Sequence, residues 1–222
     1  MLTPIGGGFD SRPKRLWGLL IGCGATVTDM VLTWEGWSDY LGWRLLLALA
    51  AVGSFRFLLK VDRPSLGLRL APVQGWAYWV RATGWIALAM GAVLLLAGLA
   101  IFVGWEVPIR RRSPNQLGSA ILQACVLAPL VEETIYRMVL CSPLVGCFGP
   151  TVTIGLSGVA FALLHVLYGN PGPDNVFAGF VLGWAYLKSG SISLPIILHS
   201  LGNLVGILLQ IGAWYAIVPA TA

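Results

Sequence analysis

Apolar residues in this chain do not alternate with polar ones. They come in long runs broken by short polar connectors. Several runs approach the roughly 20 residues a helix needs to cross a ~30 Å hydrocarbon core. The pattern predicts helices over about 16–34, 43–59, 84–103, 117–140, 150–168 and 176–187, and a last one from about 194 onward. The connectors carry the breakers: EGWSDY after the first run, EVPIRRRSPNQ before the fourth and GNPGPDN after the fifth. The longest polar stretch is 61–81. Its prolines (Pro64 and Pro72) and its aromatics (Trp76, Tyr78 and Trp79) suit a surface loop or an interfacial helix. The sixth run, Val176 to Leu187, would be only about 18 Å long as a helix, so it is expected to begin or end below the membrane surface. The fold class expected is all-α: a polytopic transmembrane helix bundle of about seven spans forming one integral membrane domain over 1–222.

Composition strengthens this picture. The chain is 57% hydrophobic and only 10% charged, with a mean hydropathy of +0.82, against about 25% charged residues in soluble domains. The net charge of +5 comes from short clusters, Ser11 to Arg15, Lys60 with Arg63, and Arg110 to Arg112. These read as membrane-surface anchors, and nucleic acid is set aside as a partner. Seven alternating spans would put the amino terminus and the 60–81 loop on one side and Arg110 to Arg112 on the other. Either one segment does not cross or the positive-inside bias is broken. Arg56 and Lys60 are expected to snorkel. The four cysteines show no C-x-x-C spacing, so neither zinc fingers nor a disulfide framework is signalled. Asp29 interrupts the first apolar run and no clear cleavage site follows, which favours an uncleaved first span over a signal peptide.

The chemistry concentrates at Ala128 to Arg137, APLVEETIYR, where two carboxylates and an arginine sit in an apolar run. A charge at mid-bilayer costs about 2.5–3.5 kcal/mol on insertion scales, so the pair is a functional candidate. On a helix Glu132 and Glu133 point about 100° apart and cannot serve one small ligand together. Glu133 and Arg137 stand at i and i+4 in the favourable order for an ion pair, which leaves Glu132 free. A buried pair that only fixes helix packing is the plain alternative. Both histidines of the chain lie in apolar runs of the carboxy-terminal half, in the i, i+4 pairs Phe161/His165 and His199/Asn203. At ~1.5 Å per residue, Glu132 and His165 both reach the middle of a membrane and can meet.

Glu-Glu-x-x-x-Arg at 132–137, Phe-x-x-x-His at 161–165 and His-x-x-x-Asn at 199–203 resemble, in order, the three motifs of the CAAX protease and bacteriocin-processing family of intramembrane proteases. The resemblance covers about 117–205, and the spans within 1–116 match nothing specific. Met138 departs from it, where many members carry glycine. The resemblance implies an intramembrane endopeptidase with its active site in the carboxy-terminal half. Glu132 would be general base and His165 would position the water. His199 and Asn203 would be the oxyanion donors, with Glu133, Arg137 and Phe161 in support. It also implies a multi-pass protein of a bacterial or archaeal plasma membrane. Its substrate would be a membrane-tethered peptide or protein: a prenylated tail, a leader or a sorting helix.

Hydrolysis itself asks for such groups, namely a base, oxyanion donors and a cavity that admits water. No cofactor is expected. The alternative is a catalytic zinc on Glu132, His165 and His199, but no H-E-x-x-H is present, and an amide at Asn203 suits an oxyanion donor better than a ligand. Two other functions use the same buried charges. One is an ion- or proton-coupled transporter, although no broken helices recur in matching halves. The other is a non-catalytic membrane partner such as an immunity protein.

Overall fold

A computed structural model of the chain describes residues 4–37, 39–104 and 112–217. Arg110 and Arg111, expected as membrane-surface anchors, lie outside the described residues. Among those described there is no strand. Seven helices follow one another: α1 (Arg12–Trp34), α2 (Trp43–Gly53), α3 (Trp76–Phe102), α4 (117–148), α5 (150–167), α6 (Pro173–Ser189) and α7 (Ser193–Ile217). A π-helical turn, Ser54–Leu58, extends α2. Among the described residues three stretches are long and apolar enough to cross a membrane: Arg12–Trp34, Pro114–Leu167 and Ser193–Tyr215.

The helix order follows the apolar runs, but several boundaries differ. α3 begins at Trp76, not near Gly84, because the aromatic stretch is itself helical: Trp79 packs with Ala185 and Leu194 and is 1% exposed. Residues 61–75 are irregular apart from a single turn, Pro64–Leu66, and are stitched down by Val73 N–H to Ser189 O and Ile192 N–H to Gly67 O. The Arg56 guanidinium donates to the Val61 carbonyl, just past the end of the helix. α4 runs past Leu140 to the Gly149-Pro150 step. There Gly149 takes φ 75° and ψ 172°. Only glycine adopts that φ without strain, and the following proline drives ψ to extended values.

α4 is the centre of the bundle. Its residues Val131, Ile135 and Tyr136 share a core with Ala48 of α2, Phe161 and Leu164 of α5, and Leu182 of α6. α1 lies close against it, since a Cβ at Gly22 would meet the Val139 carbonyl at 2.8 Å. α5 and α6 approach as closely, a Cβ at Gly179 meeting Gly158 O at 2.7 Å. A second core gathers Phe9, Phe55, Val61, Leu66, Val139 and Tyr186. Outward faces remain apolar. Leu16, Leu20, Val27 and Val31 of α1, Trp85, Leu88 and Leu95 of α3, and Leu201, Val205 and Leu208 of α7 are exposed, as lipid contact requires and water would not favour.

Candidate active site

α4 carries two π-helical turns, Ile121–Leu127 and Thr134–Val139, flanking the Ala128–Glu133 segment that bears the acidic pair. Such turns are rare and recur at functional sites. Both glutamates are buried, Glu132 1% and Glu133 0% exposed.

Glu133 is the more tightly held. Its Oε2 accepts from Arg137 Nε at 2.9 Å and its Oε1 from His199 Nδ1 at 2.9 Å. The i, i+4 pair expected from spacing is therefore present, with a histidine from α7 added to it. Arg137 also donates to Ser157 Oγ of α5, and its guanidinium lies 4.8 Å over the Phe161 ring.

Glu132 is not free. Its Oε1 accepts from Tyr40 OH at 2.8 Å, lies 3.3 Å from Tyr168 OH, and is 3.7 Å from Nη1 of Arg44. Its Oε2 is buried and accepts no hydrogen bond among the described residues. Arg44 in turn holds Asp29 through both carboxylate oxygens, Nε to Oδ1 at 2.6 Å and Nη2 to Oδ2 at 2.9 Å, and donates to Tyr168 OH. Tyr136 OH donates to Asp29 Oδ2 at 3.1 Å. Tyr40 lies in the connector before α2. Burial, reinforced by the Glu132 carboxylate, pushes its phenol above the ordinary value, so it remains a proton donor.

Phe161 organises the aromatic side of the site. Its ring is 4.5 Å from that of His165 and 5.6 Å from that of His199. Tyr168 joins the two halves, its hydroxyl near Glu132 and its ring 5.9 Å from that of His165. His165 Nδ1 stands 3.0 Å from the Phe161 carbonyl. A carbonyl only accepts, so the proton is on Nδ1 and Nε2 presents a lone pair. The same reasoning puts a proton on Nδ1 of His199, facing the Glu133 carboxylate.

Asn203 meets a backbone group. Within the first π turn the N–H of Ala128 bonds five residues back to Gln123 O. The next bond of that register would run from Pro129 to Ala124, and proline has no N–H. Asn203 Nδ2 supplies the missing donor to Ala124 O at 2.6 Å, and its second N–H is not engaged by that bond.

The buried cluster holds three carboxylates, Asp29, Glu132 and Glu133, and two guanidiniums, Arg44 and Arg137. One additional proton, on a histidine or a carboxylate, brings it to neutrality, which burial favours. No three His, Cys, Asp or Glu side chains among the described residues are grouped to hold a metal. The Arg44 guanidinium stands against Oε1 of Glu132.

Four residues of this cluster, Asp29, Tyr40, Arg44 and Tyr168, carry no motif. Asp29 and Arg44 each stand in an apolar run, which is the signal that could have found them. Nothing local identifies either tyrosine.

Residues 114–205 match the family described as Rce1-like, type II CAAX prenyl endopeptidase. Comparison with curated proteins and with solved structures finds no match to the chain. The matched segment contains all three motifs, at 132–137, 161–165 and 199–203, in the family's order. Over residues 114–205, then, the chain is similar to the Rce1-like group of the CAAX protease and bacteriocin-processing family.

Proposed function

We propose that this chain is a multi-pass intramembrane endopeptidase of the glutamic type. It would hydrolyse a peptide bond in a membrane-tethered protein or peptide, with prenylated tails the first class to test, given the family matched at 114–205. The observation that carries the reading is Glu132. One oxygen is held by two tyrosines and an arginine while the other, buried, accepts no hydrogen bond among the described residues. That is the arrangement of a base held rigidly with one lone-pair face turned to its substrate proton.

In this mechanism Glu132 Oε2 takes a proton from water, and the His165 Nε2 lone pair accepts a hydrogen bond from the hydrogen that stays on the oxygen, which orients the nucleophile. The hydroxide adds to the scissile carbonyl. The oxyanion receives hydrogen bonds from Asn203 and from His199 Nε2. With Nδ1–H facing Glu133, Nε2 of His199 donates in the form of the ring that carries both protons. Glu132 then passes its proton to the leaving amine as the C–N bond breaks, and an acid and an amine are released. No step uses a metal or other cofactor.

The test is cleavage in proteoliposomes of two quenched fluorescent peptides, one with a farnesylated Cys-aliphatic-aliphatic-X tail and one anchored by a transmembrane helix. Glu132→Gln and His165→Ala are expected to lose about 10²- to 10⁴-fold in turnover, and chelator-treated wild type is expected to keep its activity. Wild-type rates from Glu132→Gln would remove the base assignment. Activity lost to chelation and restored by zinc would replace this mechanism with a metal one. Failure of the wild type on both peptides would favour a non-catalytic membrane partner.

A further inference from the structure

The family match begins at residue 114, yet the groups that hold Glu132 come largely from before it. Tyr40 lies between α1 and α2, Arg44 in the first turn of α2, and Asp29 near the end of α1. Among the described residues of the matched segment, Tyr168 alone hydrogen-bonds to the same carboxylate oxygen. Arg44 is the hub, 0% exposed, with its guanidinium divided among Asp29, Tyr168 and Glu132. The close approach of α1 to α4 at Gly22 brings Asp29 to Tyr136 and Arg44, and the Ala48 contact sets α2 against Val131 and Ile135.

We infer that Arg44, clamped by Asp29, is a positioning residue for Glu132, so that the first two helices complete the active site of the Rce1-like segment. The inference rests on the reading of Glu132 as the base. Purely structural burial of an Asp–Arg pair would need no third partner, and here the third partner is the glutamate whose other oxygen is left for chemistry. The guanidinium and the Tyr40 hydroxyl fix Oε1 from two directions, which fixes where Oε2 points. The Asp29 carboxylate offsets part of the Arg44 charge, so Glu132 is held without being locked into a full ion pair. The other groups around Glu132 have different partners: Glu133 binds Arg137 and His199, and His165 binds the Phe161 carbonyl.

Two measurements on the full-length protein test this. In the farnesylated-peptide assay Arg44→Gln is expected to lower kcat at least about tenfold with KM within about twofold, since it disturbs the reacting groups and not substrate binding. Arg44→Lys, which keeps the charge and a donor, is expected to recover part of that loss. Melting in detergent supplies a readout that does not depend on activity. Arg44→Gln leaves Asp29 and Glu132 facing each other without a cation, so adding Glu132→Gln is expected to raise the melting temperature of that variant by about 3 °C or more. Identical melting of Arg44→Gln with and without Glu132→Gln, or kcat unchanged in Arg44→Gln, overturns the inference while leaving the base assignment standing. Wild-type turnover by Glu132→Gln overturns both.

Discussion

Glu133→Gln separates the role of the second glutamate from that of the first. The wild-type carboxylate serves two cationic or proton-bearing partners at 2.9 Å each, Arg137 Nε and His199 Nδ1, and none of the carboxylate is exposed. At that separation a unit charge pair at an effective dielectric near 20 is worth about 6 kcal/mol before desolvation. Glutamine keeps the shape but offers one carbonyl oxygen and one NH2. One of the two donors is therefore met by another donor, and the buried guanidinium loses its counter-charge. Removing one partner of a buried pair costs about 3–5 kcal/mol, which in a chain of this size lowers melting by roughly 6–20 °C. Glu132→Gln should behave differently. Its amide oxygen can still accept from Tyr40 and Tyr168, and Arg44 keeps both bonds to Asp29, so the stability loss is expected near 1 kcal/mol. The assay is differential scanning fluorimetry in detergent for both variants beside turnover of the fluorescent peptide. The expected result is a large melting loss for Glu133→Gln and a small one for Glu132→Gln, with turnover abolished in the second at unchanged fold. Unchanged melting in Glu133→Gln with turnover abolished would refute the reasoning and make Glu133 itself a reacting group.

Asn203→Ala is expected to lower turnover about 10²- to 10³-fold and melting by a few degrees, since it removes the donor that replaces the missing Pro129 N–H. Asn203→Asp should be worse in both readouts, because a carboxylate would face the Ala124 carbonyl; a fully stable, active Asp variant would remove the residue from both roles. Gly179→Val is expected to prevent α5 and α6 from meeting, because even a Cβ there comes within 2.7 Å of the Gly158 carbonyl; unchanged melting of that variant would refute the close approach.

What the sequence determined by itself was everything that a helical period controls. The apolar runs predict helices in the order in which they occur, and the charges within them mark residues that must find partners. Relations at i and i+4, such as Glu133 with Arg137 and Phe161 with His165, follow from the rise and turn of one helix and hold in the structure. Boundaries were less legible. The aromatic stretch at Trp76 to Trp79 suits an interface as well as a buried face, and only its packing against α6 and α7 decides for the latter. Length alone likewise could not show that α4 continues to Gly149. The tertiary structure decided which charges meet. Tyr40 and Glu132 are 92 residues apart, Arg44 and Tyr168 are 124 apart, and Asn203 and Ala124 are 79 apart. No periodicity relates such positions. They are brought together by close helix approaches and by the bend at Gly149. Glu132, which looked unpartnered on its own helix, is for that reason the residue whose surroundings depend most on the rest of the fold.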